Sequence, residues 1–154
     1  MSARKLLLGF GGSVLLLYLS GYPLLYFFQE KVFFQNTTLP PDYSFSFEIP
    51  FEEVSFRPHS GVLLHTLRFR TSVVPARGVV LYLHGNADDL RRWGQHAASF
   101  TTLGYDVWMY DYRQFGKSRG PMSEAAYYTD ADCVYAQLLR HYSEPSVVVY
   151  GYSL

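Results

Sequence analysis

This sequence has only one cysteine and no charge excess of either sign. Its 154 residues include 13 lysine and arginine residues against 13 aspartate and glutamate residues, so the formal net charge is +0. Without a basic excess, nothing in the charge pattern indicates a nucleic-acid partner. The single cysteine, Cys133, excludes an internal disulfide framework and a cysteine-based zinc cluster. HExxH, GxxxxGK[ST] and a complete GxGxxG are also absent, so we expect neither a bound metal nor a nucleotide cofactor.

What the sequence does contain is a long apolar run close to its N-terminus. Residues 6–28 form 23 consecutive positions without Asp, Glu, Lys or Arg, and about 20 suffice for a helix to cross a bilayer. Aromatic residues crowd the end of the run, as in an interfacial belt. The pattern predicts a membrane anchor over residues 1–31, with residues 6–28 in contact with lipid. A cleaved signal peptide is the alternative; it is disfavoured because Leu19 occupies a position that requires a small residue.

The charges that flank this run predict its orientation. Arg4 and Lys5 precede it, whereas Lys31 follows it beside Glu30. The positive-inside rule therefore favours a cytoplasmic N-terminus, a single membrane pass and an extracytoplasmic domain.

The rest of the chain is divided at residue 50. Residues 32–50 are interpreted as a juxtamembrane linker, because they are polar and broken by proline around Asn36–Asp42. In residues 51–154, short apolar segments alternate with turn signals. Two segments, Val54–Arg57 and Val62–Phe69, predict a β-hairpin.

Strands and helices then alternate. Val79–Leu83 is a continuous apolar run, which predicts a parallel strand buried on both faces. Tyr105–Tyr110 is predicted as the next strand and Val147–Tyr150 as another buried strand, and the three are expected to be parallel. Helices are predicted over Asp88–Leu103 and from an N-cap at Ser123 to about Tyr142. This order predicts an α/β fold in which helices cover both faces of a mostly parallel sheet.

Two short motifs at strand ends carry the predicted chemistry. Gly151-Tyr152-Ser153-Leu154 follows the last strand and matches four positions of the nucleophile elbow, which presents a serine on a sharp turn. His84-Gly85-Asn86 follows the strand Val79–Leu83. In this architecture the oxyanion is bound by N–H groups from the residue after the serine and from the loop after the third strand. We therefore predict Ser153 as the nucleophile, with Leu154 and Asn86 as backbone donors.

His84 has two interpretations. We favour a structural histidine that shapes its loop over a catalytic base, because the histidine of such a triad follows the serine in the chain.

Three segments together resemble the α/β-hydrolase superfamily: His84-Gly85-Asn86-Ala87-Asp88, Asp111 to Ser118, and Gly151-Tyr152-Ser153-Leu154. The sequence is most similar to the membrane-anchored, serine aminopeptidase-like branch. The resemblance implies an α/β-hydrolase fold and a serine hydrolase that acts on a small-molecule, acyl or peptidyl substrate. One departure is Gln114, which stands where the family usually has the first glycine after the arginine of its Asp-x-Arg-Gly pattern.

The family's acid and histidine lie well beyond the serine, and this sequence includes neither. Upstream candidates are Asp111, Asp130 and Asp132 for the acid and His96 and His141 for the base. We expect Asp111 to order the loop that contains Arg113, and the charged residues of the following helix to face solvent. The soluble part is also short for such a domain. The chain is therefore expected to be the N-terminal part of a longer hydrolase, with an incomplete sheet, or an inactive truncated product.

Two functions compete at this point. The first is a membrane-anchored serine hydrolase that cleaves an ester, thioester or amide through an acyl-enzyme. The alternative is a non-catalytic membrane protein that retains the hydrolase scaffold, since a fold alone does not determine activity.

Overall fold

The computed structural model describes the backbone of residues 3–153 and the side chains of residues 9–28 and 34–153. The chain divides into two units, Met1–Gln35 and Asn36–Leu154. The first unit contains helix α1, Ala3–Phe33, which is 31 residues long. Its stretch Gly9–Phe28 is 20 residues long and apolar enough to cross a membrane. The predicted apolar helix is therefore confirmed in its length and composition.

The second unit is built on a five-stranded sheet. Its strands are β1 (Phe51–Phe56), β2 (Leu64–Phe69), β3 (Gly78–Leu83), β4 (Tyr105–Asp111) and β5 (Val147–Gly151), in the order β1-β2-β4-β3-β5. The strands β1 and β2 form the predicted antiparallel hairpin, and β2 also pairs with β4 antiparallel. The strand β3 pairs parallel with β4 on one side and with β5 on the other, which confirms the predicted parallel strands.

The helices differ in detail from the prediction. The helix predicted over Asp88–Leu103 is interrupted: α2 (Leu90–Trp93) and α3 (Ala97–Thr101) are joined by a 3-10 turn. The N-cap of α2 is Asp89, whose carboxylate accepts a hydrogen bond from Arg91 N at 2.9 Å. Helix α4 spans Glu124–Leu138, and the predicted cap Ser123 accepts from Ala126 N at 3.2 Å.

Helices lie on both faces of the sheet, as predicted. One face forms the core with α2, α3 and the segment before β1; its buried members are Leu39, Phe45, Leu67, Phe69, Val80, Tyr82, Leu90, Trp93, Ala97, Val107 and Met109. Because successive side chains of a strand point to opposite faces, Trp108 lies on the other side. Its ring is 5.5 Å from that of His141, just beyond the end of α4.

The segment interpreted as a linker packs onto the second unit from Asn36 onwards. Leu39 and Phe45 are buried. Leu39 N donates to Gly116 O at 2.8 Å, and Gly116 N donates to Thr37 O at 2.7 Å. This stretch is irregular, as its prolines predict, but main-chain hydrogen bonds hold it to the loop after β4.

The strand β5 is exposed, in contrast to the buried strand that its sequence predicts. In the part of the chain that the structure describes, β5 pairs only with β3 and forms one edge of the sheet. Val148 and Val149 are 45% and 56% exposed. The run of valines is apolar enough for a central strand, but among the described residues only β3 covers one of its edges.

Candidate active site

The strand order changes direction around β3, and this is where an open α/β sheet leaves a crevice. From β3 the chain leads through α2 and α3 to β4 on one side, and later through α4 to β5 on the other. The carboxyl ends of β3 and β5 are therefore neighbours. They lead into the two motifs identified from the sequence, His84-Gly85-Asn86 and Tyr152-Ser153.

Ser153 has a backbone conformation that non-glycine residues seldom adopt. Its φ is +73°, two residues after β5 ends at Gly151. A left-handed conformation costs about 1–2 kcal/mol for a residue with a side chain, and such outliers cluster at functional sites. A sharp, strained turn that exposes a serine directly after a strand is the geometry of a nucleophile elbow.

The elbow is in direct contact with the loop after β3. Tyr152 N donates at 2.9 Å to the carbonyl oxygen of Leu83, the last residue of β3, where this loop begins. A Cβ added to Gly85 would lie 3.3 Å from Tyr152 O and 3.2 Å from Cζ2 of Trp93, so a side chain at residue 85 would press on both segments. Glycine at this position allows the two backbones to approach.

His84 lies at the base of this loop and is fully buried. Its Nδ1 is 2.8 Å from Gly85 O; since a carbonyl only accepts, Nδ1 carries the proton. Burial lowers the pKa of His84 to about 4, so the imidazole is neutral at pH 7. Its Nε2 is 3.6 Å from Asp111 Oδ1, which is too long for a hydrogen bond. Among the described residues, no histidine hydrogen-bonds to Ser153, as the structural interpretation of His84 predicts.

Tyr112 supports the same loop from the end of β4. Its hydroxyl donates to His84 O at 2.7 Å, and its ring centroid is 4.3 Å from that of the His84 imidazole. Burial raises the pKa of the Tyr112 phenol, which keeps it protonated as a donor. No sequence motif marks this residue, because its role depends on the parallel pairing of β3 with β4.

Asp111 orders the loop that contains Arg113, as expected. Its main-chain carbonyl accepts from Ser118 Oγ at 2.6 Å, and its Oδ1 accepts from Leu90 N at 3.1 Å. A Cβ on Gly116 would lie 1.9 Å from Asp111 Oδ2, so the carboxyl occupies space that only a glycine leaves free. Complete burial raises the pKa of Asp111 well above its usual value, which favours the neutral acid.

Arg113 itself pairs with Asp130. Its Nε and Nη2 donate to the two carboxylate oxygens, both at 2.7 Å. Asp130 is 2% exposed, so the prediction that it faces solvent is wrong. Ala126, Asp130, Val134 and Leu138 recur at a spacing of four and are all buried, a stripe visible in the sequence. The prediction of solvent exposure is correct for Asp132 and His141.

Of the two predicted oxyanion donors, only Asn86 lies among the described residues. Asn86 is half-buried in the loop between β3 and α2, at the carboxyl end of β3. Leu154 lies outside the described residues. The candidate site therefore joins Ser153 with the loop that carries Asn86, and Tyr112 lies beneath that loop.

Comparisons with known proteins agree with this architecture. Residues 78–154 match the family described as alpha/beta hydrolase fold, and the chain belongs to that family. It is 30% identical over 112 residues to protein bem46 of Schizosaccharomyces pombe, covering 70% of this chain and 38% of that protein. It is 33% identical over 90 residues to lysophosphatidylserine lipase ABHD12 of Danio rerio, covering 56% of this chain and 23% of that protein.

A solved structure with a similar fold is the esterase Pf2001 of Pyrococcus furiosus. The TM-score is 0.55 at 20% identity, over 77% of this chain and 48% of the esterase. The chain thus spans less than half the length of each of these three relatives. The aminopeptidase-like branch stays a prediction.

Proposed function

We propose that the protein is a serine hydrolase that cleaves an ester, thioester or amide, with Ser153 as its nucleophile. The observation that carries the proposal is the left-handed backbone of Ser153, at φ +73°, directly after β5. This is the turn that an α/β-hydrolase uses to expose its nucleophile. The preceding residue, Tyr152, contacts the end of β3 and Gly85 in the loop that follows it.

The reaction follows from this arrangement. Ser153 Oγ attacks the substrate carbonyl carbon while a general base takes the hydroxyl proton, and the carbonyl oxygen becomes an oxyanion. The C–O, C–S or C–N bond then breaks, and the leaving group departs with that proton. Water, deprotonated by the same base, cleaves the acyl-enzyme and restores the serine. Among the described residues no histidine bonds to Ser153, so none of them is assigned here as the base.

The oxyanion is stabilised in this proposal by the N–H groups of Asn86 and Leu154. Donors aimed at the developing charge contribute about 3 kcal/mol each to lowering the barrier. The reaction needs no cofactor, since the serine supplies the nucleophile and the backbone supplies the electrophilic stabilisation.

The substrate we would test first is an acyl ester of a lysophospholipid, because a relative is named lysophosphatidylserine lipase. We further infer that α1 anchors the protein in a membrane, with the N-terminus cytoplasmic and the domain outside the cytoplasm. The apolar stretch Gly9–Phe28 supports this anchoring, and an anchor would hold the domain beside a lipid substrate.

The test is covalent labelling of the full-length protein by a fluorophosphonate probe. We expect labelling of the wild type and none of Ser153→Ala, because only an activated serine reacts at a useful rate. The matched control is Ser99→Ala, an exposed serine in α3, which should label like the wild type. A folded wild-type protein that takes up no probe would instead favour the non-catalytic scaffold.

A further inference from the structure

The hydroxyl of Tyr112 is buried beneath the loop that carries the proposed oxyanion donor. We propose that Tyr112 is a positioning residue that holds the Asn86 N–H in the direction required by the oxyanion. This inference rests on the proposed function, since it concerns the same reaction, but the contacts that carry it do not involve Ser153.

Two successive peptide groups of this loop are fixed by hydrogen bonds. A trans peptide is planar, with its carbonyl oxygen and the following N–H on opposite sides. The peptide between Gly85 and Asn86 is held at Gly85 O by Nδ1 of His84, at 2.8 Å. That contact sets the direction of the Asn86 N–H. The preceding peptide is held at His84 O by the hydroxyl of Tyr112, at 2.7 Å.

Tyr112 also fixes the imidazole that makes the first of these contacts. Its ring lies against that of His84, with a centroid separation of 4.3 Å. The His84 ring has Trp93 at 5.9 Å and Phe115 at 5.5 Å as further neighbours. One side chain therefore restrains both the carbonyl and the ring of His84, and both restraints lead to Asn86.

The position of Tyr112 is rigid for reasons in the fold. It follows the last residue of β4, whose parallel partner β3 ends just before His84. Tyr112 is 5% exposed, and its ring packs against Phe115 and Tyr127. A donor held in this way does not have to reorganise as charge develops on the substrate, which is the condition for effective oxyanion stabilisation.

The experiment compares Tyr112→Phe with Tyr127→Phe in the full-length protein. Both variants keep the ring and lose a hydroxyl, but the Tyr127 hydroxyl donates to the Met122 sulfur, at 3.4 Å. Turnover of p-nitrophenyl butyrate gives kcat and KM. For Tyr112→Phe we expect kcat to fall about 10-fold to 100-fold, since a displacement of about 1 Å costs up to about 10². The KM should stay within about threefold, because the lost interaction acts in the transition state.

Hydrogen exchange of residues 84–90 is measured on the same samples. Tyr112→Phe should exchange faster there, and Tyr127→Phe should match the wild type in exchange, kcat and KM. The proposal is overturned if Tyr112→Phe keeps the wild-type kcat, or if both variants lose kcat equally through general loosening of the aromatic cluster. A wild type without Ser153-dependent turnover would overturn the proposed function itself. The exchange data would then still show separately whether Tyr112 restrains the loop.

Discussion

At the scale of single residues, Gln114 shows how a departure from a family pattern is accommodated. The sequence places glutamine where the family usually has glycine, and the structure keeps the glycine-like backbone, with φ +66°. Asn36 Nδ2 donates to Gln114 O at 3.0 Å and helps to hold this conformation. The sequence identifies the departure. It does not predict the outcome, because the supporting contact comes from a residue 78 positions away.

The first prediction follows from that conformation. A left-handed backbone costs a non-glycine residue about 1–2 kcal/mol, whereas a new glycine costs about 0.4–1 kcal/mol through the unfolded state. Gln114→Gly should therefore raise the free energy of unfolding by about 0.5–1 kcal/mol. Denaturant unfolding of the full-length protein in detergent measures it. Gln114→Ala is the control, since it keeps a Cβ and the strain; equal stabilities for the two variants would contradict the argument.

At the scale of elements, the ion pair between Arg113 and Asp130 joins the loop after β4 to helix α4. The geometry is bidentate, and Arg113 Nη1 also donates to Pro121 O at 3.1 Å. The two side chains are 8% and 3% exposed, so the pair is isolated from water. A buried charge that loses its partner is strongly destabilising.

We therefore expect Asp130→Ala to lower the free energy of unfolding by about 3–5 kcal/mol. The matched control is Asp132→Ala on the same helix. Asp132 is exposed, and its loss should change stability by less than about 0.5 kcal/mol. Thermal and denaturant unfolding measure both variants. A similar loss for the two aspartates would show that the ion pair does not stabilise the domain.

The elements themselves were predictable to different degrees. The strands β3 and β4 and the hairpin follow from apolar runs between turn residues, and those signals are local. The interruption between α2 and α3 has no such local signal. The apolar residues keep nearly helical spacing through it, at Leu90, Trp93, Ala97 and Phe100. Similarly, α4 is predicted to reach about Tyr142 but ends at Leu138. The Tyr142 hydroxyl donates to the Asp106 carboxylate at 2.6 Å, a tertiary contact that periodicity does not reveal.

At the scale of the whole molecule, the prediction concerns the membrane. The full-length protein should stay with the membrane fraction through a high-salt wash and be released by detergent, because insertion depends on apolar burial. Protease should reach the domain only from the extracytoplasmic side. The control variant carries Leu16→Arg and Leu17→Arg. Each arginine raises the free energy of membrane insertion by about 2.5–3.5 kcal/mol near the bilayer centre. Release of the wild type by salt alone would contradict a spanning helix.

The candidate site was predictable in its two motifs but not in what supports them. Ser153 and the loop after β3 follow from motifs at strand ends, and the topology brings them together. Tyr112 is marked by no motif, and Asp130 is predicted to face solvent, because each acts through a partner that is distant in the chain. A motif predicts which residues meet a substrate, whereas tertiary contacts determine how firmly they are held.

The hydrogen bonds between the segment before β1 and Gly116 also determine how the domain bears mechanical load. Leu39 N and Thr37 O bond to Gly116 at 2.8 and 2.7 Å, ahead of β1 in the chain. Tension transmitted from α1 therefore reaches the loop after β4 before it reaches Phe51 at the start of the sheet. We therefore expect the contacts of Asn36, Thr37 and Leu39 with the loop after β4 to be loaded before the sheet when the domain is pulled from its N-terminal side.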